Sequence, residues 1–222
     1  MACGTGRLLI PYLRAGLDVD GCDISEDMVA LCRERAEGEG LSPSLYSQAM
    51  HELDLPRRYR TILVCGGFGI GGSREHDVEA LERFYDHLEP GGLLVLDKEV
   101  PYANARHWRR WVKKERSALP EPWPAEGERR TGSDGAEYEL RVRLADVDPL
   151  AQCVTFEIRA TMSRDAKLVA EEQSVLKETM YFPNELRLML EQAGFREVEL
   201  RAGHTDAEPS ADDDFVVLTA RK

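Results

Sequence analysis

The sequence predicts an α/β protein: a doubly wound, mainly parallel sheet with an antiparallel β insert ahead of its final helix and strands. Three observations predict it. A glycine turn, Gly4-Thr5-Gly6, stands before a helical stretch; an acid, Asp23, closes the next apolar run; and two long alternating segments, 138–144 and 154–162, interrupt the pattern late in the chain. Helices that alternate with short apolar runs argue for parallel strands joined by crossovers, whereas a two-residue period argues for half-buried antiparallel strands.

The elements follow in order. Glycine lets backbone approach a ligand closely, and a Gly-rich turn at the head of a helix is the usual cradle of a nucleotide-like group. Residues 7–15 then read as a helix with Leu8, Leu9, Tyr12 and Leu13 as its apolar positions and Gly16 as its stop. Leu17, Val19 and Cys22 form a short strand that puts Asp23 at its carboxyl end, where open α/β sheets bind ligands. Asp23 also lies at about the spacing from the glycines at which an acid accepts ribose hydroxyls. Ser25 caps the next helix, with Glu26 and Asp27 in its first turn and Met28, Val29, Cys32 and Ala36 as its stripe.

Residues 60–65 read as a strand, and Leu81, Phe84, Tyr85 and Leu88 place a helix over 76–88 that Pro90-Gly91-Gly92 stops. Residues 101–119 read as one basic amphipathic helix, with Trp108, Trp111 and Val112 on one face and Arg106, Arg109, Arg110, Lys113, Lys114 and Arg116 around the other. Pro120, Pro122, Pro124, Gly127, Gly132 and Gly135 mark an irregular connection. Tyr138, Leu140, Val142 and Leu144 alternate with charged residues, as do Val154, Phe156, Ile158, Ala160 and Met162 with polar ones, and a less regular strand follows at 167–181. The chain thus divides into a cofactor core at 1–100, a substrate-shaping lid helix and β insert at 101–181, and a C-terminal helix with the last two strands at 182–222.

With these elements in order, the chain resembles the class I S-adenosylmethionine-dependent methyltransferases, a Rossmann-like family. Ala2-Cys3-Gly4-Thr5-Gly6 is similar to the family's first turn, Asp23-Ile24-Ser25 with Met28 to its second element, and Gln48-Ala49-Met50 followed by Leu53 to Pro56 to its third. Leu88 to Leu96, Glu185-Leu186 through Ala193-Gly194-Phe195, and Asp214-Phe215-Val216-Val217 extend the likeness along nearly the whole chain. The resemblance implies S-adenosyl-L-methionine as cofactor. Ala2, Cys3, Gly4 and Gly6 would line its methionine and ribose side, Asp23 would take the ribose hydroxyls, Ile24, Met28 and Met50 would bracket adenine, and Cys65, Gly66 and Phe68 would sit nearest the methyl. It also implies a strand and helix ahead of Ala2, and an acid two places before it, so the sequence reads as starting late. Ala49 stands where such members often carry Asp, which leaves adenine to backbone groups and apolar packing.

Inserts at this point look like those of small-molecule methyltransferases, amino-sugar N-methyltransferases among them, and imply methylation of an N or O atom. A sulfonium methyl demands little of the protein beyond holding a nucleophile in line, so the base candidates are His107, His51 and His76, with Tyr102 and Tyr181 as positioning groups. Gly66 to Gly72 lacks the acid-Pro-Pro-aromatic pattern of nucleic-acid amino methyltransferases, and no Pro-Cys nucleophile is present. Two other readings stand: a methyltransferase-fold remnant or partner-binding module, and a nucleotide-dependent oxidoreductase, which Leu9 disfavours by filling the third glycine's place.

Length and composition set the bounds. A chain of 222 residues supports one α/β domain with an insert. A net charge of −12 repels nucleic-acid phosphates and favours a small-molecule substrate, while the basic face at 106–116 would suit an anionic one such as a nucleotide-linked sugar. No apolar run approaches the roughly 20 residues of a membrane span. Cys3, Cys22, Cys32, Cys65 and Cys153 form no Cys-x-x-Cys pair, which suits reduced thiols in a cytoplasmic protein and points to no metal.

Overall fold

The structure, a computed structural model, describes residues 1–132 and 134–222. They form two compact units: Met1–Phe68, Ser73–Val100 and Phe182–Lys222 make the first, Gly69–Gly72 and Pro101–Tyr181 the second.

The first unit begins with the glycine turn and α1 (Leu9–Arg14), followed by β1 (Gly21–Asp23), α2 (Glu26–Glu37) and β2 (Leu45–Ser47). The strand expected from Leu17 onwards is only three residues long. Asp18 and Asp20 turn instead to Arg57, at 2.6 and 2.9 Å, and Tyr59 Oη donates to Asp20 at 2.7 Å, so their segment serves an ion-pair cluster and not a ladder. Ser25 caps α2 as expected, its hydroxyl accepting from Met28 N–H.

A short 3₁₀ turn (Met50–Glu52) leads to β3 (Tyr59–Val64), α3 (Arg74–His87) and β4 (Leu88–Glu99). The Ser73 hydroxyl accepts from His76 N–H, which starts α3 before the expected His76. β4 pairs with Tyr59 already at Leu88, and a register shift before Thr61 absorbs the Pro90-Gly91-Gly92 turn.

The chain then enters the second unit. The single basic helix expected at 101–119 is two short ones, α4 (Ala105–Arg109) and α5 (Lys113–Arg116). Val112 adopts extended backbone between them, and Trp111 packs on the small core of Leu144, Val147 and Val154. A buried Glu121, 2% exposed, collects Arg106 at 2.6 Å and Arg110 at 2.9 Å. Burial alone would raise the Glu121 pKa, but Arg110 and Arg106 outweigh it and hold the carboxyl below its ordinary value. The connection expected to be irregular contains β5 (Glu128–Thr131), which edges an antiparallel sheet with β6 (Glu137–Asp148), β7 (Cys153–Arg164) and β8 (Lys167–Thr179). β8 is more regular than its sequence suggests, because β7 pairs with it along its length with one register shift.

The first unit resumes with α6 (Pro183–Gln192), β9 (Arg196–Ala202) and β10 (Phe215–Arg221). β1 pairs parallel with β2, while β3, β4, β10 and β9 form a sheet in that order, parallel between β3 and β4 and antiparallel thereafter. Phe215, the first residue of β10, pairs with Glu99, the last of β4. The β9–β10 turn therefore hangs at the carboxyl end of β4, the side on which α/β sheets bind ligands. The N-terminal residues join the two sheets: the Met1 ammonium donates to Leu63 O at 2.8 Å and Cys3 N–H to Cys22 O at 3.0 Å. Leu81, Phe84, Leu88, Leu94, Leu96, Leu186 and Leu190 are all buried and form the core under α3 and α6. Each such side chain contributes about 1.5–3 kcal/mol.

Candidate functional site

Glycine geometry builds the site. Gly6 has φ +87, and a Cβ there would meet Cys32 Sγ at 2.8 Å and Ile10 Cδ1 at 2.9 Å, so the turn lies directly on α1 and α2. A Cβ on Gly67 would meet Ala2 Cβ at 2.5 Å and Met50 Cε at 3.2 Å. The loop after β3, the N-terminal turn and the 3₁₀ turn thus converge, and three segments expected to share a ligand are neighbours.

Asp23 stands at the carboxyl end of β1 with both oxygens engaged: Gly4 N–H donates to Oδ2 at 2.8 Å and Ser25 N–H to Oδ1 at 3.0 Å. This locks the carboxylate to the turn. Arg35 donates to Thr5 Oγ1 at 2.7 Å and holds the turn from α2. Beside Asp23, Ile24 is 72% and Met28 43% exposed. Met50 and Cys65 are half-buried and Gly66 is exposed. Phe68, expected nearest the methyl, is 1% exposed, and its carbonyl accepts from the buried Lys98 ammonium at 3.1 Å.

A cleft of about 590 Å³ opens between β1 and β3, with Met1, Leu9, Val19, Cys22, Leu53 and Ile62 among its lining residues. Burial pushes the Cys3 thiol up to about 12, and burial followed by the Asp97 charge pushes Cys65 up to about 11. Both stay protonated at neutral pH, and neither is a thiolate nucleophile.

The expected base candidates fall in both units. His51 stacks on His76 with ring centroids 3.8 Å apart and planes within 1°, and its Nε2 lies 3.9 Å from Glu52. His107 belongs to the second unit, tilted against Phe156 at 5.4 Å, and burial lowers its pKa. Tyr102, also there, is 40% exposed, whereas Tyr181 is 1% exposed and is a core residue.

Sequence reasoning missed one group. Cys65 after β3, Asp97 on β4 and His204 in the β9–β10 turn bring a thiol, a carboxylate and an imidazole within 4.8 Å of one another. His204 Nε2 lies 3.2 Å from Asp97 Oδ2, and Gly66 N–H donates to Asp97 Oδ1 at 2.5 Å. No spacing rule links residues this far apart; the only signal was the position of Asp97 near a strand's carboxyl end.

Comparison with known proteins bears on this geometry. Residues 1–92 match the family described as methyltransferase domain. The chain is 34% identical over 100 residues to the dTDP-3-amino-3,6-dideoxy-alpha-D-glucopyranose N,N-dimethyltransferase of Streptomyces fradiae, 44% of this chain and 37% of that protein. An S-adenosylmethionine-dependent methyltransferase from Clostridium acetobutylicum superposes with a TM-score of 0.75 at 15% identity, covering 99% of this chain and 81% of that one. The sugar N-methyltransferase KedS8 from Streptoalloteichus superposes with a TM-score of 0.71 at 18% identity, covering 100% and 78%.

Proposed function

From the match of residues 1–92 to a methyltransferase domain and the shared fold of S-adenosylmethionine-dependent methyltransferases, we infer that the chain is a class I member of that group and methylates an N or O atom of a small molecule, using the turn at Ala2 to Gly6 and Asp23 to hold its cofactor. S-adenosylmethionine, when bound, supplies a sulfonium methyl that is already a strong electrophile. The chain's own task is to bind, to orient the acceptor and to exclude water.

One observation carries the reading. A carboxylate fixed by Gly4 and Ser25 N–H stands at a strand's carboxyl end, next to a turn pressed against two helices and two open apolar side chains. That donor set fits a nucleoside: Asp23 retains lone pairs for ribose hydroxyls, and Ile24 and Met28 offer apolar surface for a purine face. Ala2, Cys3, Gly4 and Gly6 would meet the amino-acid side, and Cys65 and Gly66 the methyl. Met50, drawn in by Gly67, would close the other side of adenine.

We assign selection of the acceptor to the second unit. Arg109 and Lys113 are exposed on α4 and α5 and favour an anionic acceptor in a chain of net charge −12. The relative named for a dTDP-linked amino sugar, with the neighbour named for a sugar, supports a nucleotide-linked amino sugar as the first acceptor to try. A neutral amine of this kind attacks without prior deprotonation and needs no dedicated base.

Isothermal titration of S-adenosylmethionine and S-adenosylhomocysteine into the chain and into Asp23→Ala tests the cofactor half. Saturable binding that the variant loses supports it, and equal binding by both removes Asp23 from the site. Mass spectrometry of a dTDP-linked 3-amino sugar incubated with chain and cofactor tests the acceptor half, a gain of one or two methyl groups being the expected result.

A further inference from the structure

We propose that Cys65, Asp97 and His204 form a binding site for a divalent transition cation of the zinc type. The three come from the end of β3, from β4 and from the β9–β10 turn, and one atom of each lies within 4.8 Å of the others. Convergence of a sulfur, a carboxylate oxygen and an imidazole nitrogen from distant parts of a chain is the feature that separates this group from the ordinary surface ion pairs elsewhere on the molecule.

The donor set decides the class of ion. Thiolate, imidazole and carboxylate together suit Zn²⁺ and Co²⁺, whereas Mg²⁺ and Ca²⁺ want oxygen alone. Three protein ligands leave a fourth, open position, the arrangement of ligand-accepting zinc sites and not of closed structural ones. Charge also balances: with Cys65 ionised, one thiolate and one carboxylate neutralise a dication, so a bound ion would not repel the cationic cofactor of the proposed reaction. On binding, the Cys65 S–H bond is replaced by a sulfur–metal bond and the proton passes to solvent.

The surroundings orient the donors as outer partners of a metal do. Gly66 N–H fixes Asp97 Oδ1 at 2.5 Å and leaves Oδ2 to His204 Nε2 at 3.2 Å. The His204 ring lies tilted against Phe215, centroids 5.8 Å apart. Asp97 is 15% exposed and His204 53%, so an ion can enter from the His204 side. Cys65 and His204 also lie on the wall of the 590 Å³ cleft.

The test needs no acceptor and stands apart from the methyl-transfer reading. The chain, freed of metal by chelation and dialysis, is titrated with CoCl₂ and followed by absorbance. A near-ultraviolet thiolate-to-cobalt band that saturates at one equivalent, with visible bands of four-coordinate intensity, and that ZnCl₂ displaces, is the expected result. Cys65→Ser should abolish the near-ultraviolet band, and Cys153→Ser, in the other unit, should leave it unchanged. Should Cys65→Ser fail to fold by circular dichroism, His204→Ala, altered at an exposed side chain, should keep the band but weaken binding at least ~10-fold, the lower bound for losing even an outer partner. No band, or a band indifferent to both Cys65→Ser and His204→Ala, overturns the proposal and leaves Asp97 and His204 as an ion pair.

Discussion

Both oxygens of Asp23 already accept from backbone donors, at 2.8 Å from Gly4 and 3.0 Å from Ser25, yet each oxygen has a second lone pair. The carboxylate is therefore a strut of the turn that keeps lone pairs for the proposed cofactor. Hydrogen bonds to a charged group contribute about 1.5–3 kcal/mol each, so Asp23→Ala should raise the S-adenosylmethionine Kd at least ~10-fold, about 1.4 kcal/mol. It should also lower the ligand-free unfolding midpoint, because the strut is lost too. Gly67→Ala separates packing from chemistry: its new Cβ would stand 2.5 Å from Ala2 Cβ, and overpacking of this kind costs about 1–3 kcal/mol, read from the urea midpoint at constant slope. Asp23 was legible from its spacing to the glycines, since that spacing is set by one helix and one strand. His204 was not, because it reaches Asp97 across 107 residues from a polar turn whose sequence looks like any other.

At the scale of elements, capped helices were legible and tertiary competitors were not. Ser25 and Ser73 announce α2 and α3 by a local hydrogen bond that the sequence alone specifies. β1 is curtailed by Asp18 and Asp20 committing to Arg57, and the basic helix is split where Trp111 enters the core beside the Glu121 cluster; both depend on partners remote in sequence. The Glu121 cluster gives a pH signature. Its folded pKa lies below the ordinary 4.5, so the stability it contributes is complete above that value and is lost as pH falls from there through the lower folded pKa. Arg106 is 68% exposed and screened by solvent, which leaves Arg110, at 21%, as the stronger partner. Glu121→Gln should therefore cost about 3 kcal/mol at neutral pH, the lower end for breaking a buried pair. Urea unfolding at pH 7 and at pH 3 checks it: the gap between wild type and variant should shrink at the lower pH, and a constant gap would mean that lost packing, not charge, sets the difference.

On the scale of the whole molecule, the residues assigned to the cofactor all fall in the unit made by Met1–Phe68, Ser73–Val100 and Phe182–Lys222, while Tyr102, His107, Arg109 and Lys113 fall in Pro101–Tyr181. This partition makes a kinetic prediction that no single residue makes. If the first unit binds the cofactor and the second selects the acceptor, reversing charge on α4 and α5 should act on one ligand and spare the other. The acceptor must approach a chain of net charge −12, so for an anionic acceptor the exposed Arg109 and Lys113 work against the general field, and their effect should be large at low salt and fade as ions screen it. Arg109→Glu combined with Lys113→Glu should raise the KM for a dTDP-linked amino sugar about 10-fold in low salt, with kcat and the S-adenosylmethionine Kd unchanged, the pattern of lost uniform binding. Steady-state kinetics across a salt series, paired with calorimetry on the same preparations, measures both. An acceptor KM that stays put assigns the basic face to solvation alone, and a cofactor Kd that moves with it would mean that the two binding tasks are not divided between the units.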